Sequence, residues 1–251
     1  MQEAVNAEIR RRVRERYPGG QKLRFQSPER WAPNAAFVNC YDGPRESVGY
    51  HSDQLTYLGP RPVIGSLSLG VAREFRVRRI VPRAAEEGED NGDDDDAADD
   101  GKSEPEPELD AGDAGGQIAI HLPHNSLLVM HAEMQEEWKH SVAAARAVDP
   151  HPIAGQRRIN VTYRDYRASF HPRHTARCRC GVPAVLRVAR RRRRRGPSRY
   201  FWMCYAGSAP AATSSCDFFE WADFDDDGNP SWDRERYRKP WPKPEGADTL
   251  S

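Results

Sequence analysis

A mainly β fold, a sandwich or jelly roll with one N-terminal helix and a small second unit, is predicted by three features of the 251-residue sequence. Apolar residues recur at helical spacing at the start of the chain. Short apolar runs bounded by Gly and Pro turns follow, up to about residue 164. Four of the five cysteines then gather between positions 178 and 216.

The helix is expected over 5–17, where Val5, Ile9 and Val13 share a face, and Pro18-Gly19-Gly20 ends it. Strands are expected at 36–41, 63–70 and 74–81. They resume at 117–122 and 126–131 round a Pro123-His124-Asn125 turn, and a last one is expected at 158–164. Many short strands with turn signals fit a sandwich or jelly roll better than a wound α/β sheet. The second unit spans about 176–224, and the Pro- and charge-rich residues 225–251 read as a flexible tail.

The chain has 38 Lys+Arg and 38 Asp+Glu, but the zero sum hides a partition. Residues 84–113 hold 15 acidic side chains and one lysine, a local charge of about −14, so the remainder carries about +14. This stretch has almost no large apolar side chain to offset ordering entropy, so 84–116 is expected to be a disordered insert between two strands. A basic remainder points to nucleic acid. No run approaches the apolar length of a transmembrane helix, and the first 20 residues lack the apolar stretch of a secretory signal. An odd cysteine count in such a chain favours a reduced compartment and metal binding over disulfides.

Tyr50-His51-Ser52-Asp53 begins the first chemical constellation. Residues i and i+2 of an extended segment share a face, so His51 and Asp53 can hold one ion, with His140 of Trp138-Lys139-His140 closing the set from an opposed strand. Two imidazoles and one carboxylate on one face form the ligand set of non-haem Fe(II) oxygenases, which keep positions open for a cosubstrate and O2. Arg158, Asn160, Thr162 and Arg164 lie on one face of the strand RINVTYR. Guanidiniums turned inward there require an anion, and a dicarboxylate such as 2-oxoglutarate answers that need.

These residues carry a family resemblance. Residues 37–164 resemble the AlkB family of Fe(II)/2-oxoglutarate dioxygenases, most closely its eukaryotic DNA-repair members, through NCY, GYHSD, SLSLGVAREFRVR, LPHNSLLVM, WKHSV and RINVTYR. The resemblance implies a double-stranded β-helix (jelly roll) over residues 1–170, with iron on His51, Asp53 and His140. It implies 2-oxoglutarate held by Asn39, Tyr41, Arg158, Asn160 and Arg164 with Thr162 beside them, Arg158 taking the distal carboxylate and Arg164 the carboxylate nearer iron. It implies oxidative demethylation of N-alkylated bases in DNA, using O2 and a base that is single-stranded or flipped out. His124 and His131 are expected to be turn residues rather than ligands, and Cys40 a buried apolar thiol. Two departures bear on the substrate. Gln54 and Leu55 stand where repair members carry acidic residues after the HxD aspartate. The family's nucleotide-recognition lid precedes its first matching helix, about where this sequence starts, so a lid is not expected in it.

Cys178, Cys180, Cys204 and Cys216 fit a closed tetrahedral zinc site that helps a small module to fold. With Arg199-Tyr200-Phe201-Trp202 and Phe218-Phe219-Glu220-Trp221 they resemble the GRF-type zinc finger, which implies single-stranded DNA binding. Two of Phe201, Phe219 and Trp221 are expected to form the finger's own core. Arg199, Phe201, Trp202, Arg190, Arg191 and Arg192 are the candidate DNA contacts, as guanidiniums track phosphates and aromatics stack on bases. The arginine run also reads as a nuclear localisation signal. The combined expectation is a nuclear DNA dealkylase. The alternatives are the same oxygenase chemistry on RNA or protein, or an inactive DNA-binding adaptor.

Overall fold

The computed structural model of the protein describes residues 1–80, 116–189, 199–205 and 216–231. The acidic stretch 84–113, the arginines 190–195 and the chain beyond 231 lie outside the described residues. Helix α1 (Gln2–Arg16) is followed by β1 (Ala35–Asp42), β2 (Val48–His51), β3 (Ile64–Gly70), β4 (Arg73–Arg79), β5 (Gln117–Leu122) and β6 (Ser126–Met130). The short helix α2 (Met134–Glu137) then leads into β7 (Trp138–Val142) and β8 (Arg157–Arg164). Beyond these lie β9 (Val185–Ala189), β10 (Arg199–Met203) and β11 (Phe219–Ala222).

Strands β1–β8 form two four-stranded antiparallel sheets, ordered β1-β8-β3-β6 and β2-β7-β4-β5. Consecutive strands alternate between the sheets in this jelly-roll winding, except that β4 and β5 are antiparallel neighbours in the second. Ile64, Leu58, Met130 and Tyr41 from one side meet Phe75, Val77, Leu122 and Val142 from the other in a common core. Helix α1 lies against the first sheet because Gly65 has no side chain. A Cβ there would meet the Trp31 ring at 3.1 Å and Val5 at 3.5 Å. Asn6 fixes the helix by donating to the Trp31 carbonyl at 2.8 Å and accepting from its N–H at 3.0 Å. His124 lies in the turn before β6, where its Nδ1 accepts from the Gly70 N–H at 3.0 Å, while His131 follows β6 and faces Glu8 of α1.

The third sheet, ordered β11-β10-β9, belongs to the cysteine-bearing unit. It shares a core with the jelly roll. Ala184, Leu186, Tyr200 and Trp202 of this unit pack with Phe25, Leu55 and Phe170 of the larger one. Two expectations are corrected here. The tail was expected to be loose from residue 225. Its first residues are instead held: the Asp226 carbonyl accepts from the Phe25 N–H at 2.9 Å, and the Ser231 N–H donates to the Asp223 carbonyl at 3.0 Å. Cys40 is exposed rather than buried. It lies on β1, an edge strand paired only with β8, whose outward side chains Val38 and Cys40 no described residue covers.

Candidate functional site

The second sheet builds the metal-ligand face. His51 ends β2 and pairs directly across the ladder with His140 of β7, bringing their rings to a centroid distance of 4.3 Å. Asp53 follows two residues later. Its Oδ1 lies 3.8 Å from His51 Nε2 and 3.6 Å from His140 Nε2, and one ligand atom from each of the three falls within 4.8 Å of the others. The donors around them aim these atoms. His51 Nδ1–H donates to the Gly49 carbonyl at 2.8 Å, which fixes the tautomer and leaves Nε2 its lone pair. Arg164 donates to Asp53 Oδ2 at 2.6 Å, leaving Oδ1 toward the histidines. The Asp53 N–H donates to Gln135 Oε1 at 2.7 Å, and Ser52 Oγ to the Trp138 carbonyl at 2.9 Å, so the turn after β2 is tied to the run-up to β7. Burial, then the neighbouring His51, pushes His140 down to about 4, so its imidazole is neutral near pH 7. Two imidazoles and one carboxylate on one side fit Fe(II).

Next to this face, strand β8 carries a buried polar row. Arg158, Asn160 and Thr162 alternate with Ile159 and Val161, and β1 brings Tyr41 opposite Arg158 and Asn39 opposite Asn160. Arg158 is 1% exposed, and its guanidinium sits 5.3 Å from the centre of the Tyr41 ring. One nitrogen, Nη2, donates to Ser68 Oγ at 2.9 Å and Asn160 Oδ1 at 3.1 Å. Nε and Nη1 are buried without a partner. A cation this deep with two idle donors has the geometry to take a carboxylate. Burial lowers the Arg158 pKa and raises that of the Tyr41 phenol, the cost of holding both here. Ser66 and Ser68 were not anticipated. They face Thr162 and Asn160 across β3–β8, and Ser66 Oγ donates to Asn160 Oδ1 at 2.8 Å. Two serines at period 2 inside an apolar strand were the signal that could have found them. Gln135 gave no comparable signal.

The two residues after Asp53 diverge. Gln54 is exposed, whereas Leu55 is buried in the core shared with the cysteine-bearing unit, so only Gln54 can face a substrate.

In the small unit the sulfurs of Cys178, Cys180, Cys204 and Cys216 lie within 4.8 Å of one another, and all four are free thiols. Cys178 N–H donates to the Val182 carbonyl and Gly181 N–H to the Cys178 carbonyl, a tight turn that presents Cys178 and Cys180 together. The hydrogen bond that Cys180 donates to Cys216 pushes Cys180 up to about 12. Against the opposing effect of burial, the Phe218 N–H and the other thiols draw Cys216 down to about 6. Thiols that polarise one another at this range fit a bound Zn(II), which takes them all as thiolates.

Among the candidate DNA contacts, Trp202 is corrected. It is fully buried against the jelly roll and offers no face for stacking. Strand alternation puts Tyr200 and Trp202 inward and Phe201 outward, and Phe201 pairs across the ladder with Trp221. Phe219 and Trp221, each 47% exposed, form the outer face with Phe201, at ring distances of 5.0 Å for Phe201–Phe219 and 6.1 Å for Phe201–Trp221. Two of these three were expected to form the finger's core. Trp202 and Tyr200 take that place because the jelly roll supplies the apolar surface that a small module lacks. Arg199 opens β10, and Arg190, Arg191 and Arg192 lie outside the described residues.

Comparison with known proteins gives two family matches, the 2OG-Fe(II) oxygenase superfamily over residues 1–164 and the GRF zinc finger over residues 176–225. Among curated relatives, alpha-ketoglutarate-dependent dioxygenase alkB homolog 3 of Rattus norvegicus is 31% identical over 131 residues, covering 52% of this chain and 35% of its own length. The protein of the same name from Homo sapiens is 30% identical over 132 residues, 52% of this chain and 36% of its own. DNA oxidative demethylase ALKBH2 of Arabidopsis thaliana is 30% identical over 131 residues, 52% of this chain and 37% of its own. The matched stretch therefore spans little more than a third of these relatives.

Proposed function

From a chain that belongs to the 2OG-Fe(II) oxygenase superfamily, we propose an Fe(II)/2-oxoglutarate-dependent dioxygenase that oxidatively demethylates N-alkylated bases in DNA, with its GRF zinc finger binding single-stranded DNA. The observation that carries the oxygenase reading is Arg158, buried with two idle donors on the same strand whose Arg164 bonds Asp53 of the His51–Asp53–His140 set. Iron on that face supplies the oxidising chemistry, with 2-oxoglutarate and O2 as cosubstrates.

The chain's own residues do the rest. His51 and His140 present Nε2 and Asp53 presents Oδ1. Arg164 bonds the second carboxylate oxygen of Asp53, so Oδ1 would be the atom left for the ion. Arg158 takes the distal carboxylate of 2-oxoglutarate with Nε and Nη1, while Tyr41 and Asn39 of β1 line the same pocket. The expectation that Arg164 takes the carboxylate nearer iron is kept in this reading, with its bond to Asp53 as a second task. The DNA substrate rests on what the AlkB-named relatives are called. For the finger, the outward aromatic trio Phe201, Phe219 and Trp221 offers stacking faces, and Arg199, Arg190, Arg191 and Arg192 offer phosphate contacts. The arginine run also supports a nuclear location.

The test is mass spectrometry of a single-stranded DNA oligonucleotide carrying 1-methyladenine, incubated with the full chain, Fe(II), ascorbate and 2-oxoglutarate. Loss of one methylene mass that needs 2-oxoglutarate and vanishes in His51→Ala is expected. Succinate formed without that loss would remove the DNA reading. Gln54 and Leu55 stand where an acidic partner for a cationic base would, which keeps RNA as the second substrate, and an N-methylated RNA oligonucleotide in the same assay separates the two.

A further inference from the structure

The zinc finger does more than follow the oxygenase in sequence. It reaches the iron face by two routes. The first runs through the turn that carries Asp53. Two residues on, Leu55 is 3% exposed and packs among Ala184, Leu186, Tyr200 and Trp202. Buried Thr56 then accepts from the Leu186 N–H of β9 at 3.4 Å. The second route runs through α2. Tyr200 of β10 donates its hydroxyl to Glu136 Oε1 at 2.6 Å, in a wholly buried contact. Glu136 Oε2 pairs with Arg61 Nε at 2.8 Å, and Oε1 accepts the Arg61 N–H at 2.7 Å. The preceding residue, Gln135, accepts the Asp53 N–H, and β7 with His140 starts two residues after Glu136.

We propose that the zinc finger is a brace for the iron site. Tyr200 acts as a positioning residue that holds Glu136, and through α2 the Gln135–Asp53 contact, in register. The physical ground is the cost of alternatives. A carboxylate as buried as Glu136 needs both Arg61 and the Tyr200 hydroxyl, because unmet buried charge is expensive. When the hydroxyl is lost, α2 must shift to rehydrate the carboxylate, and Gln135 moves with it. Bracing uses the inward residues Leu186, Tyr200 and Trp202 of β9 and β10, not the outward aromatics.

The measurement is Mn(II) affinity, read by electron paramagnetic resonance on the full chain. His51→Ala serves as the blank for Mn(II) held by the acidic stretch. Hard Mn(II) prefers the His/carboxylate set and leaves a thiolate zinc site alone. Tyr200→Phe keeps the ring in the core and removes only the hydroxyl. With one zinc per chain retained by metal analysis, Mn(II) binding is expected to weaken about threefold to tenfold. Cys204→Ser, which gives up the zinc, is expected to weaken it more. Unchanged Mn(II) affinity in Tyr200→Phe with zinc retained overturns the proposal. So does unchanged affinity in a zinc-free Cys204→Ser chain, and that arm also decides the matter should Tyr200→Phe lose its zinc. Neither readout involves nucleic acid, so failure here is distinct from failure of the demethylase reading.

Discussion

Replacing Arg158 by methionine should make the protein more stable without ligand and nearly blind to 2-oxoglutarate. Arg158 is 1% exposed and lacks a carboxylate partner, and two of its nitrogens are idle. Exchanging an uncompensated buried charge for an apolar side chain of similar length stabilises by about 1–4 kcal/mol. Ser68 Oγ loses its donor, at about 1 kcal/mol, while Asn160 Oδ1 keeps the Ser66 hydroxyl. The net gain is zero to about 3 kcal/mol. Two charged hydrogen bonds to a bound carboxylate are worth about 1.5 kcal/mol each at the low end, so affinity falls about 150-fold. At 2-oxoglutarate one hundred times the wild-type Kd, ligand stabilises the native protein by about 2.7 kcal/mol, and the variant by about 0.3 kcal/mol. Thermal unfolding with Mn(II), with and without 2-oxoglutarate, reads both quantities. A shift of about 5–10 °C on adding ligand to wild type should shrink to about 1 °C or less in Arg158→Met. A variant that is markedly less stable without ligand and keeps the full ligand shift would refute the assignment of Arg158.

Other predictions follow from packing and titration. Gly70 has φ of 84° and a Cβ there would run into the Arg157 carbonyl oxygen, so Gly70→Ala should cost about 3 kcal/mol in urea unfolding. A loss under about 0.5 kcal/mol would contradict this geometry. Trp202→Ala should cost about 3–5 kcal/mol of stability, whereas Trp221→Ala should leave stability nearly intact and weaken single-stranded DNA binding by about 1–3 kcal/mol. Fluorescence titration at fixed salt checks the binding, and the opposite assignment of the two tryptophans would overturn the sheet's facing. Burial lowers the His131 pKa below its usual 6.5. The unfolded chain then takes up a proton that the native one refuses, so this stabilisation is present above about 6.5 and is lost as pH falls toward the depressed value. His131→Gln should flatten the fall in unfolding free energy between about pH 7.5 and 5.5, and a slope equal to wild type would show that His131 is not its source.

Much of the fold was legible because it rests on local patterns. The period-2 row Arg158–Asn160–Thr162–Arg164 gave both a strand and its polar face, and Gly/Pro punctuation separated the strands that followed. Two strands gave no periodic signal and were inferred only as extended segments around their candidate ligands. β2 is four residues long, contains a glycine and pairs irregularly between Val48 and His51, while β7 is a five-residue run behind a helical turn. Neither is long enough to display a period, though they carry His51 and His140. The ligand identities were readable from residue type and from the family resemblance. Their tuning was not, because Arg164–Asp53 and Gln135–Asp53 join positions more than eighty residues apart. The misassignment of Trp202 has a different origin. With no strand expected there, adjacent Phe201 and Trp202 read alike as contacts; alternation along β10 sets them on opposite faces, and the packing of Leu55 and Phe170 shows that Trp202 is the inward one.

The shared core has a consequence for how this chain can be divided. Its motifs end near residue 164 and begin again near 176, which invites a cut between them. Such a cut would leave Phe25, Leu55 and Phe170 uncovered on one fragment and Tyr200 and Trp202 on the other, each a sticky apolar surface. The boundary separates two sequence signatures and not two folding units. Melting should be one cooperative transition for both, and a library that shuffles such fingers among oxygenases would have to carry the Leu55 turn along with them.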